Sequence, residues 1–314
     1  MTRPDLVVHS DWNTSGRFQW YAQAELGADG VYRVDGAAPV GEVPALISYL
    51  LRKARTGATV LAGFDFGIGV PLAYAERIGC SYFKALLPQL GGERFPRFFD
   101  RAATREEISP YRPFYPVHAG QKGVTSQAHL VNGLGLGARS ELLRECDLGT
   151  ELRPAASPLF WCVGAQQVGP AVISGWRSLL QPALHAGREH VRLWPFDGEL
   201  DELLTPGGLV IVETYPREFY GHLGVAPVQK NEPSSRRLAG ERLQDHAHEL
   251  GVRLSDECQA QFKDGFASPG MGGDDGFDAV VGLLGMLNVL LGHRSPGAPS
   301  TAARRAVEGW MLGR

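Results

Sequence analysis

The sequence is poor in cysteine: its four thiols, Cys80, Cys146, Cys162 and Cys258, lie far apart and form no C-x-x-C pair. That spacing argues against a disulfide framework or a thiolate zinc site and suits reduced thiols in a cytoplasm. An excess of one charge sign is also missing. With 31 basic and 34 acidic side chains the net charge is -3, which argues against a broad basic face for gripping long nucleic acid while leaving room for a local groove. The apolar run from Ala279 to Leu291 is well short of the ~20 residues that a bilayer span needs. Nor does Met1-Thr2-Arg3-Pro4-Asp5 lead into an apolar signal segment. The expectation is a cytoplasmic protein with no membrane partner.

What is present is an ordinary globular composition, 44% hydrophobic and 21% charged, which sets the chain apart from disordered ones. Its 314 residues allow one large domain or two small ones. The 40 glycines predict many tight turns and several long loops.

Three apolar segments share one feature: each ends in a carboxylate. Leu6 to Trp12, closing on Asp11, reads as a buried strand, as do Thr59 to Gly67, closing on Asp65, and Gly208 to Pro216, closing on Glu213. Between the first two, Phe18 to Leu26 and Val31 to Val34 read as strands joined by short turns, which predicts an antiparallel meander. Leu46, Ile47, Leu50 and Leu51 recur at helical spacing, with Arg52, Lys53 and Arg55 at the C-terminal end and Gly57 closing the helix. The order is β-β-β-α-β.

Residues 69–206 hold many prolines and glycines, with helical stretches near Val70–Ile78, Arg139–Cys146 and Gln166–Leu184. This region is expected to be a helical, loop-rich insertion into a core formed by 1–68 and 207–314. Its basic and aromatic residues, among them Phe98, Arg112 and Tyr115, are candidates for lining a substrate channel.

The fourth acidic element begins at Asp274-Asp275-Gly276-Phe277-Asp278 and runs into an apolar stretch whose one polar residue is Asn288. A helix apolar on all sides belongs in an interior. One Asp is explained as a helix cap, and Asp274 is the acid expected to fill that role. Three acids within one turn repel unless a cation or proton intervenes.

Parallel strands end at one sheet edge, where α/β proteins bind ligands. Asp11, Asp65 and Glu213 are expected to meet there, joined by Asp275 and Asp278. Such an all-oxygen cluster suits a hard cation. Two Mg²⁺ or Mn²⁺ ions about 3.5–4 Å apart can activate a water and stabilise the leaving oxygen of a phosphodiester.

The β-β-β-α-β order, strand-end Asp11 and helix-start Asp275-x-x-Asp278-Ala279 resemble the ribonuclease H-like fold, in particular its RuvC-type resolvase branch. Asp65-Phe66-Gly67-Ile68-Gly69 with Pro71, Glu213-Thr214-Tyr215-Pro216 and Asp275-Gly276-Phe277-Asp278-Ala279 further resemble the domain-of-unknown-function family 429, described as predicted RNase H-like nucleases. The resemblance covers most of the chain and is thinnest over the insertion. It implies an α/β fold with a mixed five-stranded sheet flanked by helices, a metal-dependent nuclease activity, and a nucleic acid or nucleotide-type phosphodiester as substrate. It also implies metal ligation by Asp11, Asp65, Glu213 and Asp278, with Asp275 a fifth or alternate ligand.

Lys230, Arg236, Arg237 and Arg242 follow the Glu213 strand and are candidate phosphate contacts, set against a solvated helix face. His9, on the same strand face as Asp11, is either a core histidine or a partner to a ligand. Two other functions stay open. Asp65-Phe66-Gly67 fits the short phosphate-loop pattern of actin-like and sugar-kinase ATPases, and a non-catalytic binding protein can retain an acidic pocket.

Overall fold

A computed structural model describes residues 2–16, 19–120, 125–164, 167–225 and 227–314. The chain forms two compact units, one of residues 1–65, 182–297 and 311–314, the other of 66–181 and 298–310. The segment 182–206, expected within the insertion, thus belongs to the first unit, and 298–310 belongs to the second. Phe18 and Gln166, the expected starts of a strand and a helix, lie outside the described residues.

The first unit is built on a mixed eight-stranded sheet, three strands more than expected. Its strands are β1 (Leu6–Asp11), β2 (Trp20–Leu26), β3 (Tyr32–Val34), β4 (Ala38–Pro39), β5 (Val60–Phe64), β6 (Val191–Leu193), β7 (Leu209–Glu213) and β8 (Arg253–Leu254). The order across the sheet is β6-β7-β5-β1-β2-β3-β8, with β4 paired to β2. β6, β7, β5 and β1 run parallel, and β2 is antiparallel to both β1 and β3. The five strands read from the sequence form the contiguous centre. The additions β4, β6 and β8 have two or three residues each, too few to show a period.

Every residue of β1, β5 and β7 is buried, as continuous apolar runs covered on both faces require. The helix Val43–Arg55 buries Leu46, Ile47, Leu50, Leu51 and Ala54, with Arg52, Lys53 and Arg55 in its last turn. The core helix Gly273–Leu290 is buried from Gly276 to Leu290 and packs on β1 and β2. Its close approach depends on Gly282, where a Cβ would stand 2.1 Å from the His9 ring. No helix among the described residues is long and apolar enough to cross a membrane.

The second unit, among its described residues, has no strand beyond isolated bridges. Its core is aromatic: Phe83, Phe95, Phe98, Phe114, Phe160 and Trp176 are fully buried. Phe98 is therefore a core residue and lines no channel. Arg144 grips Asp147 with Nη2 to Oδ1 at 2.9 Å and Nε to Oδ2 at 3.1 Å, and also donates to the carbonyls of Ile68 and Glu308. A buried ion so completely hydrogen-bonded stabilises geometry rather than marking a reactive group.

Candidate metal centre

The register of the parallel strands decides which acids meet. Ser10 on β1, Phe64 on β5 and Glu213 on β7 lie in one row. The ladder continues one step further, with the Asp65 N–H donating to the Ser10 carbonyl at 3.1 Å and the Thr214 N–H to the Phe64 carbonyl at 3.0 Å. Asp11, Asp65 and Thr214 therefore form the next row, and alternation sends the two rows to opposite faces. The row before supports this assignment. His9 and Gly63 face the core helix, His9 through Ala279 and Gly282, Gly63 through Met286, and the Thr214 methyl lies on the same side of Gly63. Asp11 and Asp65 share that face.

Glu213 does reach the same sheet edge, but its side chain leaves on the opposite face, with Phe64. This corrects the expected five-acid cluster. A strand-end position alone does not fix the face, because Asp65 is one step past its ladder and Glu213 is the last step of its own. Asp65 still feels the Glu213 charge, as the weakest of the influences on it. Thr214 takes the place expected for Glu213. It is buried, and its Oγ1 has no hydrogen-bond partner among the described residues. It lies within the Glu-Thr-Tyr-Pro motif, yet a lone threonine carries no charge signal by which to find it.

The core helix supplies the other acids. Its N-cap is Gly272, in the left-handed region with φ of 90°, so Asp274 lies in the first turn and is not the cap. A side chain at Gly272 would also meet the Trp20 ring at 2.8 Å; only glycine suits that corner. Asp275 follows in the first turn and Asp278 one turn on, which carries Asp278 into the interior at 5% exposure. Asp275 shares a hydrogen bond with Asp11, and the Asp278 charge acts on both Asp11 and Asp65.

Four carboxyls so placed disfavour their own ionisation. Burial first, then the Asp278 and Asp65 charges, push Asp11 well above the usual carboxylate range. Burial and Asp278 raise Asp65 to about 7, and burial and Asp274 raise Asp275 to about 6. Asp278 is raised by burial in spite of its cationic neighbour. Excess negative charge in a low-dielectric place is what a hard cation relieves. The donor set is all oxygen and fits Mg²⁺ or Mn²⁺.

That cationic neighbour is Lys230, whose Nζ donates to Oδ2 of Asp278 at 2.5 Å and lies 3.8 Å from Oδ2 of Asp274. The other oxygen of Asp278 accepts from the Tyr220 hydroxyl, which burial and the Asp278 charge hold far above its ordinary pKa. Tyr220, on the helix Pro216–His222, was not among the expected residues. With the acids arranged around these two donors, no three of Asp11, Asp65, Asp275 and Asp278 bring ligand oxygens within 4.8 Å of one another.

The other expected substrate contacts lie elsewhere. Arg236 is buried, its Nε donating to the Gly265 carbonyl at 2.7 Å and its Nη1 to the Lys230 carbonyl. It fastens the chain instead of facing solvent. Arg242 and Arg237 donate to the carbonyls of Gly224 and Asp264 from exposed positions. Arg112, in the second unit, pairs with Glu107 and donates to the Arg101 carbonyl at 2.7 Å. His9 is a core histidine: burial pushes its pKa down to about 3, so the ring is neutral and its Nδ1–H donates to the Ala279 carbonyl at 3.0 Å.

Compared with known proteins, the chain matches no family model, no curated protein and no solved structure.

Proposed function

We propose that the first unit is a ribonuclease H-like domain of the kind that family 429 groups, and that it hydrolyses phosphodiester bonds with the help of Mg²⁺ or Mn²⁺. The observation that carries this reading is the meeting of Asp11 and Asp65, side by side on one sheet face, with Asp275 and Asp278 of the core helix. The central order β7-β5-β1-β2-β3, with only β2 reversed, supports the fold half of the proposal.

Asp11, Asp65 and Asp275 would hold the metal, and Asp278, held by Tyr220 and Lys230, would add its charge beside it. When bound, the metal would supply a nucleophilic water at neutral pH and charge stabilisation for a phosphoryl oxygen. The protein's own part is positional. Two strands and a helix bring the four carboxyls to one place before substrate arrives, and rotation of their side chains would complete their convergence on an ion. Tyr220 and Lys230 orient Asp278 through both of its oxygens. Burial keeps the surroundings poorly solvated, which strengthens each charge interaction.

The test is cleavage of single- and double-stranded DNA, RNA and small dinucleotides with Mg²⁺ or Mn²⁺. Asp11→Asn and Asp65→Asn are each expected to lower the rate at least 100-fold, on the order found for loss of one stabilising group. Cleavage that survives both substitutions contradicts the site.

The Lys230–Asp278 pair favours one second reading: a binding protein whose acidic pocket is neutralised from within. It predicts no turnover on any of these substrates.

A further inference from the structure

We propose that Lys230 is a built-in cation of the acidic centre, so that the site takes one divalent ion instead of two. The inference rests on the metal reading above and specifies its stoichiometry.

The first observation is the commitment of Asp278. Its Oδ1 accepts from Tyr220 and its Oδ2 from the Lys230 ammonium at 2.5 Å. Two dications about 3.5–4 Å apart repel strongly and are held together by a carboxylate that bridges them. Asp278 is the acid placed for that task, being the innermost of the core helix, one turn inside Asp274 and 5% exposed. With one oxygen on a phenol and the other on an ammonium, it is not free to bridge.

The second observation is independent of the acids: the position of Lys230 is built. Its carbonyl accepts from Nη1 of the buried Arg236, whose Nε is fixed on the Gly265 carbonyl. On either side of Lys230, the Gln229 N–H donates to the Ser235 Oγ at 3.0 Å and the Glu232 N–H to the Gln229 carbonyl at 2.9 Å. A lysine merely drifting towards a surface acid needs none of this. An arginine buried at its own cost and tying the Lys230 backbone to that of Gly265 argues that the ammonium's location matters. Its side chain is 42% exposed while Asp278 is 5% exposed, so the charge enters from the rim.

The geometry divides the site. Lys230 neutralises the Asp278 and Asp274 side, and Asp11, Asp65 and Asp275 are left for a single ion. Lys230 is thus a positioning residue that does by charge what a second metal does elsewhere.

The experiment is calorimetric titration of Mn²⁺ into the full chain at pH 7.5, repeated with Lys230→Met, Lys230→Gln and Lys230→Arg. One ion per chain is expected for the native protein and for Lys230→Arg, which keeps the charge. Two are expected for Lys230→Met and Lys230→Gln, with circular dichroism confirming that each variant is folded. Two ions in the native protein, or one in every folded variant, overturn the inference and leave the metal reading standing. No Mn²⁺ bound by any of them overturns both.

Discussion

Lys230 and Asp278 form a contact of 2.5 Å between a rim ammonium and an interior carboxylate. The ion pair is set against burial on both sides. Burial opposes the charge on Lys230, yet Asp278 lifts the ammonium above its ordinary pKa, so it stays charged throughout the neutral range. For Asp278, burial outweighs the help of Lys230 and Tyr220 and leaves its carboxyl above the usual range.

Replacing Asp278 relieves its neighbours. Its charge is the leading Coulombic influence on Asp65, whose pKa of about 7 is expected to fall towards the ordinary carboxylate value in Asp278→Asn. Carboxyl ¹³C chemical shifts followed against pH check this. An unchanged Asp65 midpoint shows that burial alone sets it.

The metal-free protein should lose stability as pH rises from about 4 to about 7. Unfolded carboxyls titrate near 4, whereas Asp275 and Asp65 titrate at about 6 and about 7 in the fold. Between those values the folded state holds more protons, so each step up in pH favours unfolding, by a total on the order of a few kcal/mol. Below the window both states are protonated and the penalty is absent; above it the penalty is complete. Melting curves in EDTA from pH 4 to 8 test the sign, and Asp65→Asn is expected to flatten the slope. Saturating Mn²⁺ at pH 7.5 is expected to restore about 2.7 kcal/mol at 100 times its Kd.

Glu213→Gln separates the two faces of the sheet. It should leave Mn²⁺ affinity within about twofold, whereas Asp11→Asn should weaken it at least tenfold, more than ~1.4 kcal/mol. Equal losses would return Glu213 to the site.

Gly282→Ala is expected to cost about 3 kcal/mol in urea unfolding, because the added methyl would stand 2.1 Å from the buried His9 ring. A change below ~0.5 kcal/mol would mean that the core helix shifts freely on β1, and with it Asp278.

Much of this centre is legible in the sequence because buried strands and an apolar helix leave long patterns. The runs ending at Asp11, Asp65 and Glu213 lie in adjacent strands of the sheet as read, and the helix beginning near Asp274 lies in the core. Parity is what the pattern misses. The end of an apolar run is uncertain by a residue or two, and one residue turns a side chain to the other face, so Thr214 stands where Glu213 was expected. Lys230 is visible as a basic residue, but the reach of a long side chain from a loop has no periodic signature. Nor does the clamp of Arg236 on its carbonyl. The second unit is the least legible because its short 3₁₀ turns, Arg139–Leu142 and Glu145–Asp147 among them, replace the single helix expected at Arg139–Cys146.

The most direct test of the metal centre is a crystal soaked in Mn²⁺, with anomalous differences collected at the manganese edge. A peak is expected about 2.1 Å from carboxylate oxygens of Asp11 and Asp65, on the sheet face that carries the core helix. Absence of a peak there under saturating Mn²⁺, or a peak on the Glu213 face alone, would contradict the proposed centre.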